Sequence, residues 1–179
     1  SDQQVEHVKR YAQHENQDSV LYEAMIKQSE VRDLCQNPLT LTLLCLLQTE
    51  DAQTSSTRTG LYDSIHKVIK KRASQRSDLY STVHDIESHL LLPLYKLAFD
   101  AYQKDEFVLR AVDFARLSCQ PDQMCLVGYL SKEVVISRLE EDVRYSFNHK
   151  TFLEYLTAKH IALMGSSERQ KWLRSLNYA

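Results

Sequence analysis

A change of hydrophobic period near residue 148 constrains this chain more than any other feature. Val143, Tyr145 and Phe147 alternate with Arg144, Ser146 and Asn148, the period-two pattern of a half-buried strand. From there on, His149, Phe152, Leu153, Leu156, His160 and Leu163 fall on one face of a helix. A strand therefore runs straight into a helix with a histidine at the junction. A helix N-terminus presents unpaired N–H groups and a positive dipole end, a natural seat for a phosphate. The plainer alternative is that His149 merely caps the junction of strand and helix.

Glycine usage limits the chemistry. Only Gly60, Gly128 and Gly165 occur, so neither GxxxxGK[ST] nor GxGxxG is present and the chain cannot build its own glycine-rich phosphate loop. GxSxG and HExxH are also missing. The chain is not expected to be an enzyme by itself. A formal charge of −2 gives no global reason to bind nucleic acid or an anionic membrane. No apolar run reaches the roughly 18 residues that a membrane span needs. The polar start SDQQVEHVKR lacks a signal peptide's apolar stretch, so a cytosolic protein is the expectation.

The cysteines are Cys35, Cys45, Cys119 and Cys125, with no CxxC among them. A zinc site built on Cys119, Cys125 and a distant histidine matches no standard spacing. Buried, reduced thiols are the better reading, and no metal site is expected.

The first third reads as helices. Val5, Val8 and Tyr11 suit one, and Val20–Gln28 another. After Asn37, Pro38 stands where a proline suits a first helical position. The LTLTLLCLL that follows is apolar on nearly every side and should be the buried helix of a small bundle. A polar loop leads to a helix over Leu61–Ala73, capped by Thr57 or Thr59, with Leu61, Ile65 and Val68 inward and Lys67, Lys70 and Lys71 outward. Tyr62 and these lysines are available to touch a partner, although a solvated face is the preferred reading. Residues 74–81 are the candidate domain boundary.

The second half opens with a long helix over about Ser81–Gln103, with Ile86, Leu90, Leu94, Leu97 and Tyr102 on its core side and Pro93 placed to kink or divide it. Residues 120–130 read as another helix. Val134–Leu139 and Val143–Phe147, joined by Glu140, Glu141 and Asp142, read as a hairpin. Helices, a two-stranded wing and a further helix give the order of a winged-helix domain. A last helix starts near Ser167, with Trp172 and Leu176 on its apolar side. The fold class is mainly α, a small helical bundle followed by a winged-helix domain with a short hairpin wing. The expected domains span 1–76, 80–165 and, as the start of a following helical domain, 166–179.

Two stretches resemble a known family. CQNPLTLTLLCLL followed by TRTGLYDSIHKVI is similar to the first helical domain of a NACHT module. VVISRLEEDVRYSFNHKTFLEYLTA resembles the winged-helix domain of the same module, whose wing ends in Phe-x-His-x-x-Phe-x-Glu-Tyr/Phe-Leu-Ala, with Thr157 here in the place of that alanine. The resemblance covers most of Val5–Gly165, in the order and spacing of the C-terminal half of a NOD-like receptor NACHT module. It implies a segment of a signal-transducing ATPase switch of innate immunity. In such switches ADP is clamped in the resting state, and exchange for ATP permits oligomerisation. It also implies a site, with Pro38 near the adenine and His149 on the β-phosphate of ADP. Walker A and Walker B belong to the family's nucleotide-binding domain and are not in these residues, so no bound cofactor is expected for this segment alone. The implied partners are that nucleotide-binding domain, downstream helical or sensor domains, and further copies of the parent protein.

Two rivals stand beside this reading. One is a helical scaffold that never touches nucleotide. The other is a winged-helix interaction module, DNA binding included. A DNA-reading helix needs Arg, Lys, Asn or Gln on its exposed side, whereas PDQMCLVGYL carries no Lys or Arg. Over residues 105–147 five basic residues stand against eight acidic ones, the wrong sign for a phosphate backbone.

Overall fold

The computed structural model describes residues 2–16, 18–27, 34–36, 38–50, 57–76, 86–117, 121–137 and 140–176. The chain forms two compact units, Ser1–Lys71 and Arg72–Ala179. The protein is mainly helical with one small antiparallel sheet.

The first unit is a helical bundle. It holds α1 (Asp2–His14), α2 (Ser19–Lys27), a 3-10 turn (Leu34–Gln36), α3 (Pro38–Thr49) and most of α4 (Arg58–Arg76). α1 packs on α2 and α3. Leucines on every side of α3 leave it no polar face, and Leu41, Leu43, Leu44, Cys45 and Leu47 are all buried. Polar ties hold the bundle at its rim: His7 to Thr42 at 3.0 Å and Tyr22 Oη to Thr49 Oγ1 at 2.9 Å. α4 is capped by Thr57, whose Oγ1 accepts the Gly60 N–H at 3.1 Å; Thr59 lies inside the helix. Tyr62 is only 5% exposed, so it is a core residue and not a partner-facing one. Leu61, Ile65 and Val68 share that buried face.

The second unit has the winged-helix order of helix, strand, helix, helix, strand, strand. A π-helical turn (Glu87–Leu91) leads into α5 (Leu92–Gln103). Pro93 is the reason for that turn. A proline cannot donate to the carbonyl four residues back and its ring collides with it. The Leu92 N–H instead reaches the carbonyl of Glu87, five residues back, which widens the helix without ending it. Leu90, Leu94, Leu97 and Ala101 face inward, and Tyr102, one step further round, is 45% exposed rather than core.

β1 (Val108–Arg110), α6 (Ala111–Ala115), α7 (Pro121–Leu126), β2 (Leu130–Ser137) and β3 (Glu140–Phe147) follow. The sheet order is β1-β3-β2, antiparallel throughout, so the expected two-stranded wing is a three-stranded sheet. Leu109 pairs with Tyr145, and both are buried on the sheet's inner face. The β2–β3 ladder runs from Leu130↔Phe147 to Ser137↔Glu140. Glu140, Glu141 and Asp142, expected as the link between the strands, are therefore strand residues paired with β2. α7 ends at Leu126, so residues 127–130 lie outside it, and residue 120, expected at its start, is outside the described residues.

α8 (Lys150–Leu163) packs along α5 through Phe152, Leu153 and Leu156, all buried. Leu163, expected on that face, is 62% exposed. α9 (Ser166–Leu176) begins one residue before the expected Ser167 cap and is preceded by Gly165.

Candidate functional site

The junction at residue 149 is held from three directions. β3 delivers it, since Phe147 pairs with Leu130 at the end of the ladder. The Asn148 N–H donates to the Tyr129 carbonyl at 3.0 Å, and Asn148 Nδ2 donates to the Gly128 carbonyl at 2.8 Å. Gly128 has φ +92, a left-handed conformation that a residue with a Cβ adopts only under strain. Below the junction, the Tyr129 and Phe152 rings meet edge to face at 5.3 Å. The two backbone segments at the mouth of α8 are thus tied together before the helix starts.

His149 is the N-cap of α8, with extended backbone at φ −157 and ψ 147. Its Nδ1 accepts the Thr151 backbone N–H at 3.3 Å and lies 2.9 Å from Thr151 Oγ1. A backbone N–H can only donate, so Nδ1 is the acceptor and the ring hydrogen of the neutral imidazole sits on Nε2. The cap therefore fixes the tautomer and leaves Nε2–H as a donor. The ring is half-buried.

The first turn offers fewer open N–H groups than the sequence implies. Thr151's is covered by the His149 ring, and Phe152's turns back to the His149 carbonyl at 3.0 Å. Among the described residues, the Lys150 N–H of this turn is left as a free backbone donor. Lys150 Nζ lies 5.6 Å over the Phe107 ring, so it serves a cation–π contact and not the helix pair with Glu154 that the spacing permits.

Pro38 is the first residue of α3 and is exposed. Its carbonyl accepts the Thr42 hydroxyl at 3.0 Å. Pro38 belongs to the first unit and His149 to the second.

The cysteines behave as packing groups. Burial pushes the Cys45 thiol up to about 12, with nearby Cys35 adding to the effect, and raises Cys35 and Cys125 as well. Cys119 lies outside the described residues. Among the described residues no three His, Cys, Asp or Glu side chains gather as metal ligands would, and no helix is long and apolar enough to cross a membrane.

A cavity of about 660 Å³ opens beside β1, lined by Phe107, Val108, Arg110, Val112 and Arg144 among others. Its charges are largely matched inside the unit: Arg144 to Asp142 at 2.8 Å and Lys104 to Glu106 at 3.8 Å. At α7, the helix a DNA-binding winged helix would use, Asp122 holds Lys132 of β2 at 2.9 Å.

Thr151, Asn148 and Gly128 complete the site, and their roles are not legible in the sequence. The one available signal was a threonine two places after the histidine. The Gly128 tie joins residues 20 apart and has no local signature. No protein-family model matches the chain, and no curated protein matches it either.

Proposed function

We propose that this chain is the regulatory half of a NACHT-type nucleotide switch, a helical domain and a winged-helix domain that help clamp ADP in the resting state. The reading rests on the resemblance of the Asn-Pro-Leu and Phe-x-His-x-x-Phe segments. It is supported by their placement at the start of a buried helix and at a strand-to-helix junction.

One observation carries it furthest. The half-buried His149 ring uses Nδ1 for the cap, which leaves its Nε2 hydrogen without a described partner, and the Lys150 N–H of the same turn is free as well. Two donors at the positive end of a 14-residue helix suit a phosphate oxygen. The contact acts as a switch element because it favours one state of the parent over the other. Catalysis and metal binding are left to the nucleotide-binding domain, and exchange for ATP frees the parent for self-association.

A second reading, a scaffold that touches no nucleotide, is favoured by the same cap, since Nδ1 to Thr151 is a sufficient structural reason for a histidine at this position. A fusion carrying a NACHT nucleotide-binding domain ahead of residue 1 separates the two. Loaded with labelled ADP, it should lose the nucleotide faster when it carries His149→Ala. Equal retention in both proteins leaves the scaffold.

A further inference from the structure

β1 has one edge without a neighbouring strand. The sheet order β1-β3-β2 puts β3 on one side of it, and among the described residues no strand lies on the other. Leu109 is buried on the inner face, so Val108 and Arg110 stand together on the opposite face, both exposed. An unpaired strand edge that presents an apolar and a charged side chain on one face is a template for a further strand.

The charges along that face form an incomplete row. Arg110 pairs in register with Arg144 of β3, and Arg144 in turn with Glu133 of β2. Like charges directly opposite each other repel. Arg144 is relieved twice, by Glu133 across the ladder and by Asp142, 2.8 Å from its Nε. Arg110 has no such relief. Asp113 Oδ2 accepts its backbone N–H at 2.9 Å, and among the described residues its guanidinium forms no ion pair. The next row is neutral: Val108, Ser146 and Ser131, with the two serine Oγ atoms 3.1 Å apart.

The cavity of about 660 Å³ opens at the same place, with Val108, Arg110 and Arg144 in its wall beside Phe107 and Val112. Phe107 and Val112 are themselves exposed, and Lys150 Nζ over the Phe107 ring brings a further cation. The two acids of the wall are engaged, since Glu106 lies 3.8 Å from Lys104 and Asp113 holds the Arg110 N–H. What stays open is apolar surface next to one unmatched guanidinium, a surface complementary to an acidic and apolar partner and not to a basic one.

We propose that this edge of β1 takes up an extended peptide of another protein as a fourth strand, one that carries an acidic side chain two positions from an apolar one. Side chains on one face of a strand are two residues apart, so the acid comes opposite Arg110 and the apolar residue opposite Val108. The row across the sheet then runs acid, Arg110, Arg144, Glu133, with each arginine beside a carboxylate. Backbone hydrogen bonds to β1 supply affinity, and the two side chains supply selectivity. This site is separate from the nucleotide clamp and does not depend on it.

The test uses the full chain and a fluorescein-labelled hexapeptide of alternating valine and glutamate, followed by fluorescence anisotropy. Saturable binding is expected, weakening as salt is added. Two control peptides, one alternating valine and lysine and one alternating serine and glutamate, should bind about tenfold more weakly or not at all. Arg110→Gln should weaken the valine–glutamate peptide about tenfold, the size of one hydrogen bond to a charged group. Val108→Ser should weaken it several-fold through lost apolar contact. Both variants change exposed side chains, so their circular dichroism should match that of wild type. The proposal is overturned if no saturable binding occurs up to about 1 mM peptide. It is equally overturned if either control peptide binds as tightly as the valine–glutamate one, or if Arg110→Gln or Val108→Ser binds that peptide as wild type does.

Discussion

His149 Nδ1 accepts the backbone N–H of Thr151 across 3.3 Å, and this one hydrogen bond both starts α8 and assigns the ring's tautomer. Removing the acceptor should cost about 1 kcal/mol, the usual value of an N-cap. His149→Ala is expected to lower the urea midpoint of the second unit accordingly. His149→Asp restores a good cap and should recover most of the loss.

Gly128 is fixed by its backbone. At φ +92, with nothing within 4 Å of where a Cβ would stand, Gly128→Ala meets no clash and only conformational strain. The expected loss is about 1–3 kcal/mol, seen as a lower melting temperature. Asn148→Ala, which frees the Gly128 carbonyl from its 2.8 Å bond, should cost less, about 1 kcal/mol.

Cys45 sets a limit on alkaline stability. Its folded value near 12 lies above the ordinary 9.0, so the thiolate is disfavoured in the folded state. Its contribution is fully present below pH 9.0 and declines as pH rises from there toward 12. In native protein at neutral pH, Cys45 should remain unlabelled by iodoacetamide while urea-unfolded protein labels readily. Cys45→Ala should flatten part of the alkaline loss of helical signal.

Tyr62 and Lys67 stand five positions apart on α4 and should respond in opposite ways. Tyr62 is buried, and Tyr62→Ala should cost about 3–5 kcal/mol, the range for a large aromatic removed from a core. Lys67 is exposed, and Lys67→Ala should change stability by no more than about 0.5 kcal/mol. Denaturant midpoints of the two variants check both values.

The long-period features were legible in the sequence and the close-range pairings were not. The helix over Pro38–Thr49 and the strand-to-helix change at His149 follow from runs of apolar residues that only one secondary structure can bury. β1 is not legible in the sequence because three residues, of which only Leu109 points inward, carry no periodicity. Glu140–Asp142 look like a loop by polarity, yet they pair with residues 135–137 because cross-strand hydrogen bonds use the backbone and not the side chains. Pro93 marks the division expected of it, and the form of that division, a wider π turn at Glu87–Leu91 rather than a gap, depends on backbone hydrogen bonds that no sequence period shows. At the site, His149 stood out, but its cap and the Gly128–Asn148 tie depend on atoms brought together by the fold.

The clamp role of His149 is tested most directly by a substitution that keeps the cap and reverses the charge. His149→Asp caps α8 through a carboxylate oxygen and sets a negative charge where an ADP phosphate would lie. In the fusion with a NACHT nucleotide-binding domain, the rate of ADP release and the urea midpoint are measured on the same sample. The clamp predicts faster ADP release from His149→Asp than from wild type, with the midpoint preserved. Unchanged release at a preserved midpoint would contradict it and leave His149 as a cap alone.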